Sequence, residues 1–318
     1  MLLKEIYKVV VTTGIEADPR GKEAVMKDLE MKQTTYEDLR DDEKEFFDLE
    51  SLKNPYADSR ILYGTGEEDI RTSLVGIDME MAEILLADRL GSRGEKVDLV
   101  LSHHPEGKAF ANFYEVMHMQ ADILNRVGVP VNVAEDLVDI RTKEVERRVS
   151  PVNHTRTVDV ARLLDIPFMC VHTPADNMVA SYLNSIFDEK RPERLSDVQK
   201  ILREIPEYRE ATRSNAGPKI LLGSKERKAG KIFVDMTGGT EGPKDIFESL
   251  VNSGVNTIVA MHISEDHRKE AEKRRMNVIV AGHISSDNIG MNLLLDEIQK
   301  SSDLKVLTCS GFRRFSRL

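Results

Sequence analysis

Cysteine is scarce: Cys170 and Cys309 are the only two thiols in 318 residues. That excludes a disulfide framework and leaves two free, buried thiols in predicted strands as the expectation. Long apolar runs are missing too. No stretch of 18 apolar residues occurs, and the start, M-L-L-K-E-I-Y-K, is too charged and too short for a signal h-region. The expectation is a cytoplasmic protein with no membrane partner. Positive charge is in deficit, with 45 Lys and Arg against 55 Asp and Glu and a net charge of −10. A phosphate backbone attracts cations, so nucleic acid is not expected as the primary partner. Neither a G-x-x-x-x-G-K-[ST] loop nor a G-x-G-x-x-G turn is present, which removes the usual phosphate cradles. T-G-G-T-E-G, residues 237–242, is a glycine-rich turn that reads as a plain loop sooner than as an anion site.

What the chain does have is a 40% hydrophobic, 31% charged composition and length enough for two modest cores. From Thr72, short apolar runs alternate with helical ones: S-L-V-G-I-D, then M-E-M-A-E-I-L-L-A-D-R-L, then V-D-L-V-L-S. A helical stretch near 112–126 follows, then the apolar run V-P-V-N-V-A, a charged helix near 143–149, a helix near 157–164, the strand P-F-M-C-V and a helix near 177–187. After residue 218 the alternation resumes through K-I-F-V-D, N-T-I-V-A-M, N-V-I-V-A-G and L-K-V-L-T-C, with helices between them. This pattern predicts the α/β class: two α/β lobes with a site between them at strand carboxyl ends, plus a helical N-terminal extension. Residues 1–52 form the extension, in which Lys22 to Leu52 reads as a charged helical hairpin or flap. Residues 53–187 form the N-terminal α/β lobe, 188–218 a connecting segment with one helix (Val198 to Glu204), and 219–318 the C-terminal α/β lobe.

Of the eight histidines, six follow a predicted strand within about six residues: His103, His104, His172, His262, His267 and His283. Open α/β sheets gather their sites at strand carboxyl ends, where the loops converge on one crevice. Carboxylates join them, with Asp78 closing G-I-D, Asp176 four residues after His172 and Asp287 four after His283. Neutral imidazole and carboxylate together suit a borderline divalent ion. Each piece has a plainer reading. His103-His104-Pro105 also fits a strand cap, Asp176 and Asp287 also fit helix N-caps, and His262 and His267 also fit a solvated helix start. His118 and His154 lie off the strand ends and read as structural.

S-H-H-P-E-G, then V-H-T-P-A-D-N, then A-G-H-I-S-S-D-N-I-G resemble, in order, the three signatures of the NIF-three-like dinuclear-metal family, also called type 2 GTP cyclohydrolase I. The resemblance runs from about residue 54 to 309. It implies that His103 and His104 are ligands of two different metal ions, that Asp176 and His283 are further ligands, and that Asp287 stands where the family has a bridging glutamate. Asp287 is one methylene shorter, so either its helix moves inward or one ion is held more loosely. His262 replaces an acidic residue of the family's upstream motif. The spacing from His104 to Asp176 implies an insertion near 131–165. The family also implies a ring-like homo-oligomer with the metal sites facing its interior.

The function expected is a dinuclear metal-dependent hydrolase acting on a nucleotide-like or phosphorylated small molecule, similar to GTP cyclohydrolase I type 2 or to a phosphoesterase. His103, His104, Asp176, His283 and Asp287 would hold two divalent ions (Zn, Mn, Fe or Co), with His262 and His267 as candidates for proton transfer or substrate contact. The alternative is a non-catalytic metal-binding scaffold or regulatory protein.

Overall fold

The computed structural model describes residues 1–318. The chain opens with α1 (Leu3–Glu16), α2 (Lys22–Asp38) and the single turn α3 (Asp41–Lys44). A first α/β run follows: β1 (Arg60–Tyr63), β2 (Thr72–Gly76), α4 (Met81–Gly91), β3 (Leu99–Ser102), α5 (Gly107–Ala111), α6 (Met119–Arg126), α7 (Val131–Val149), α8 (Arg156–Leu163), β4 (Phe168–Cys170) and α9 (Thr173–Lys190). Next come α10 (Leu195–Glu204) and α11 (Pro206–Arg213). The second run is β5 (Lys219–Leu222), β6 (Lys231–Asp235), α12 (Ile246–Asn252), β7 (Val255–Ala260), α13 (Glu265–Lys273), β8 (Asn277–Val280), α14 (His283–Gln299) and β9 (Lys305–Thr308).

Two sheets result, ordered β1-β4-β3-β2-β9 and β5-β8-β7-β6. β1 and β5 are antiparallel to their neighbours, and every other pair is parallel. The first four strands of each sheet therefore follow one plan. Parallel strands covered on both faces need continuous apolar runs, and Leu99 to Ser102 is buried throughout. The two-lobed α/β architecture and the helical N-terminal start are as the sequence predicts.

Several local expectations change. V-P-V-N-V-A makes no strand: Pro130, with φ −55°, sits at the N-cap of α7, whose 19 residues absorb the charged helix expected near 143–149. The segment 188–218 holds two helices, because Leu195, Val198, Leu202 and Tyr208 recur at helical spacing and bury against the second sheet. β9 leaves the C-terminal lobe and pairs with β2 in the first sheet, so 219–318 is not one spatial unit. Cys170 is buried, whereas Cys309 lies one residue beyond β9 and is only half-buried. The start of the extension is tied into the fold, with Leu3, Ile6 and Val10 of α1 entering the core of the first sheet.

The two long helices that follow β4 and β8 change sides. α9 leaves the first sheet and buries Val179, Ala180, Leu183 and Phe187 among β6, β7 and β8 of the second. α14 leaves the second sheet and buries Met291, Leu294, Leu295 and Ile298 among β2, β3 and β4 of the first. They cross where Gly290 meets Ala175. A Cβ at Gly290 would lie 2.4 Å from the Ala175 carbonyl oxygen, so only glycine permits this approach. The outer faces are covered by α4 and α8 on the first sheet and by α6, α7, α12 and α13 on the second. No helix is long and apolar enough to cross a membrane.

Candidate metal centre

The carboxyl ends of β3, β4 and β8 converge directly above the helix crossing. β3 delivers His103 and His104, β4 delivers His172 at the N-cap of α9, and β8 leads through Gly282 to His283, the first residue of α14. Asp176 lies in the first turn of α9, and Asp287 lies one turn into α14. Neither is an N-cap, since those positions are His172 and Gly282, so the capping alternative fails. In each helix a histidine precedes the aspartate by four residues, which stacks the two side chains on one face. The Nε2 to carboxylate distance is 3.7 Å in both pairs, His172–Asp176 and His283–Asp287.

Three of the rings are oriented from behind. The Nδ1–H of His103 donates to the Val171 carbonyl at 3.1 Å, that of His104 to Asp78 at 2.6 Å, and that of His172 to Asp58 at 2.8 Å. With Nδ1 as donor, Nε2 is left as the free lone pair, the tautomer a metal takes. Thr173 also donates to Asp58, at 2.6 Å, and Ser102 holds the His104 carbonyl at 2.8 Å.

Every Nε2 turns inward onto carboxylate oxygens at distances too long for a hydrogen bond. His103 lies 3.5 Å from Asp176 and 3.6 Å from Asp287, and His104 lies 3.6 Å from Asp287. Two ligands each about 2.0–2.1 Å from one tetrahedral ion would stand about 3.3 Å apart, so this spacing fits shared coordination. His103 Nε2, Asp176 Oδ1 and both oxygens of Asp287 are buried with no hydrogen-bond partner. Buried polar atoms are ordinarily paired, and four orphans pointing at one another form a set that a cation between them would satisfy. The donor atoms of His103, Asp176 and Asp287 lie within 4.8 Å of one another, as do those of His104, His283 and Asp287 and those of His103, His104 and His172.

Charge leads to the same result. Burial pushes the Asp176 carboxyl up to about 7 and raises Asp287 well above the carboxylate range, with the neighbouring Asp176 adding to it. Burial and the surrounding imidazoles lower His103 and His104 and take His283 down to about 4. His172 goes the other way, to about 9, because Asp176 and Asp58 outweigh its burial. These carboxyls are costly to ionise without positive charge beside them, and a divalent ion provides it. The His and Asp groups can thus bind metal.

All five residues expected as ligands are brought together. His172 was not among them, although its H-x-x-x-D-N context repeats that of His283 and was the signal available. Asp78, grouped with the histidines by its place at a strand end, orients His104, whereas nothing local in the sequence ties Asp58 to His172.

The two candidates for proton transfer separate. His262, at the end of β7, stands beside His283 with ring centroids 4.8 Å apart and its Nδ1 3.4 Å from Glu241. Hydrogen bonding to Glu241 raises it, and Glu241, despite partial burial, is held down to about 2 by His262 and His267. His267 is held by the protein on both ring nitrogens. Its Nδ1 meets Ser264 Oγ at 2.6 Å and its Nε2 meets the Gly242 carbonyl at 2.9 Å, so neither nitrogen is free for substrate. The T-G-G-T-E-G turn is a loop whose Gly238 and Thr240 carbonyls accept from Gln120, and its Glu241 disfavours an anion there.

The cluster is open on one side only. His103 and Asp287 are buried, whereas the His283 side chain is 40% exposed. A cavity there is lined by His172, Asp176 and His283 on one side and by Thr237, Glu241 and His262 on the other. An apolar recess beneath Phe233 and Phe247 shares Asp235, Glu241 and His262 with it.

No family model and no curated protein matches the sequence. Among solved structures, a NIF3 superfamily protein from Sphaerobacter thermophilus is similar with a TM-score of 0.70 and 28% identity, covering 80% of this chain and 92% of that one. Reduced HcgD from Methanocaldococcus jannaschii has a TM-score of 0.48 and 14% identity over 79% of this chain and 87% of its own. A Bacillus cereus protein related to NIF3 has a TM-score of 0.40 and 11% identity over 79% and 89%.

Proposed function

We propose that this chain, whose likeness to a NIF3 superfamily structure supports a NIF3-like family, is a metal-dependent hydrolase that holds two divalent ions and acts on a nucleotide-like or phosphorylated small molecule. The observation that carries this reading is the Asp287 carboxylate, buried with neither oxygen paired: Oδ1 faces His103, and Oδ2 faces His104 and His283. One oxygen would serve each ion. His103, Asp176 and His172 would complete one set, and His104 and His283 the other. Zn²⁺, Mn²⁺, Fe²⁺ and Co²⁺ all suit such nitrogen and oxygen donors. When bound, such a pair supplies Lewis acidity and activates water at neutral pH.

The protein's own groups do the rest. Asp58, Asp78 and the Val171 carbonyl fix the rings. The crossing of α9 and α14 sets the reach of both aspartates, and the close approach at Gly290 offsets the shorter side chain of Asp287. On the open side His262, paired with Glu241, contacts substrate or moves a proton, while the apolar recess accepts an uncharged part of the substrate. A structural metal site closes around its ion, whereas a catalytic one keeps an accessible position; the exposed His283 therefore favours catalysis over a scaffold. GTP cyclohydrolase and phosphoesterase chemistry are the two forms to test, and the family resemblance supports a ring-like homo-oligomer, checked by light scattering.

The test is a screen of metal-loaded protein against nucleotides and phosphate esters with a chelated control. Turnover is expected, with Asp287→Asn abolishing it and releasing both ions while Asp176→Asn releases one, as read by elemental analysis. Two tightly held ions with no turnover anywhere in the panel would sink the hydrolase reading. Unchanged metal content in Asp287→Asn would sink the bridging role.

A further inference from the structure

Both helices that carry a candidate ligand begin H-x-x-x-D-N, and in both the asparagine after the aspartate is buried and tied to a segment outside the two sheets. Asn177 donates through Nδ2 toward the Gly14 carbonyl at 3.1 Å, the Tyr56 hydroxyl at 3.2 Å and Asp18 Oδ2 at 3.3 Å, and its Oδ1 accepts from Thr237 at 2.7 Å. The Asp18 acceptor is itself fixed. Arg20 binds both its oxygens, at 3.0 and 2.9 Å, and Tyr56 donates to it at 3.0 Å, all of them buried. Asn288 donates to the Gly311 carbonyl at 3.0 Å and accepts from the Arg313 N–H at 2.7 Å.

We propose, building on the dinuclear reading above, that Asn177 and Asn288 are matched positioning residues: each clamps its ligand-bearing helix to a flanking segment, 14–56 or 311–313, and so sets the reach of Asp176 or Asp287. A helix packed mainly through apolar contacts resists translation better than rotation about its own axis. A carboxylate oxygen about 5 Å from that axis moves about 0.9 Å for a 10° rotation, several times the roughly 0.2 Å tolerance of a metal–ligand distance. A two-sided polar clamp on the adjacent residue removes that rotation, since each residue is fixed relative to the next by the helical backbone. Asparagine is suited to this because it donates and accepts at once. Segment 14–56, which lies almost wholly outside the family resemblance, thereby becomes part of the site's support.

Asn292, one turn beyond Asn288, gives the control. It ties the same tail, donating to the Arg313 carbonyl at 3.0 Å and accepting from the Phe315 N–H at 2.9 Å, but it adjoins no ligand. The experiment titrates full-length, metal-stripped protein with Co²⁺, reading ion number, affinity and the visible spectrum, with thermal melting in parallel. Asn177→Ala is expected to weaken one ion roughly tenfold, the low end of outer-shell effects, and leave the other unchanged. Asn288→Ala weakens both and alters the spectrum, because Asp287 is shared. Asn292→Ala lowers the melting temperature without changing either affinity. Should an alanine variant fail to fold, Tyr56→Phe removes one partner of Asn177 and keeps the ring; a smaller loss at the same ion supports the proposal, and none overturns it. Wild-type protein that takes up no Co²⁺ overturns both readings. Wild type with two ions, and Asn177→Ala and Asn288→Ala no different from Asn292→Ala, overturns the positioning role alone.

Discussion

In the first sheet the strand beside the antiparallel edge, β4, ends two residues before His172, and the next, β3, ends just before His103 and His104. In the second sheet the corresponding strands are β8, ending before Gly282 and His283, and β7, ending before Met261 and His262. The frames match, but the endowments do not. The first lobe supplies three rings oriented from behind and mostly removed from solvent. The second supplies His283 without such a partner on its Nδ1, and His262 turned to Glu241. A two-fold frame is thus used asymmetrically: one half holds its rings from behind, and the other presents its rings to the open side.

The largest effect should come from the point both halves share. Gly290→Val places a side chain against the Ala175 carbonyl, and overpacking of about 3 kcal/mol or more is expected. Urea unfolding should show both lobes losing stability together; loss confined to one would break the comparison at its root. Metal removal comes next. Ligands at 100 times their dissociation constant stabilise by about 2.7 kcal/mol, so chelation should lower the melting temperature and Mn²⁺ or Zn²⁺ restore it. A melting temperature indifferent to metal would deny the site any grip.

The contrast between lobes is sharpened by a pair of second-tier changes. Asp58→Asn, behind His172, should weaken one ion roughly tenfold, whereas Glu241→Gln, behind His262, should leave both affinities within about twofold. Equal losses in the two variants, measured by competition with a chromophoric chelator, would erase the distinction. The smallest effect is expected from His262→Ala, which should retain both ions and alter only turnover. Loss of an ion there would make His262 a ligand and the second lobe a gripping half as well.

Much of this was legible in the sequence because the ligands follow strands, and strands announce themselves by apolar runs. His103, His104 and His283 follow such runs directly, and Asp176 and Asp287 follow at one helical turn. His172 stands among the strand-end histidines but outside the expected ligand set, because the resemblance takes only Asp176 from V-H-T-P-A-D-N; the matching G-H-I-S-S-D-N is the sign that it belongs there. Asp58 gives no local sign, since its partner lies more than a hundred residues away and only the pairing of β1 with β4 brings them together. V-P-V-N-V-A misled because β-branched residues favour strands, yet a proline at a helix start and a long amphipathic continuation outweighed that preference. The destination of β9 was beyond reading, as parallel pairing carries no mark of which sheet a strand will join.

The exchange of α9 and α14 also orders events in time. During synthesis the first sheet emerges without α14 and β9, so the apolar face that Leu294, Leu295 and Ile298 will cover stays open until α14 has been made. Contacts this distant in sequence form slowly, and exposed faces of this kind are where intermediates aggregate or recruit chaperones. In the proposed centre both ion sets would include Asp287, so it would assemble only after the crossing has formed. Metal uptake would then report that the crossing has formed, and a refolding time course followed by bound Co²⁺ should lag behind one followed by helix content.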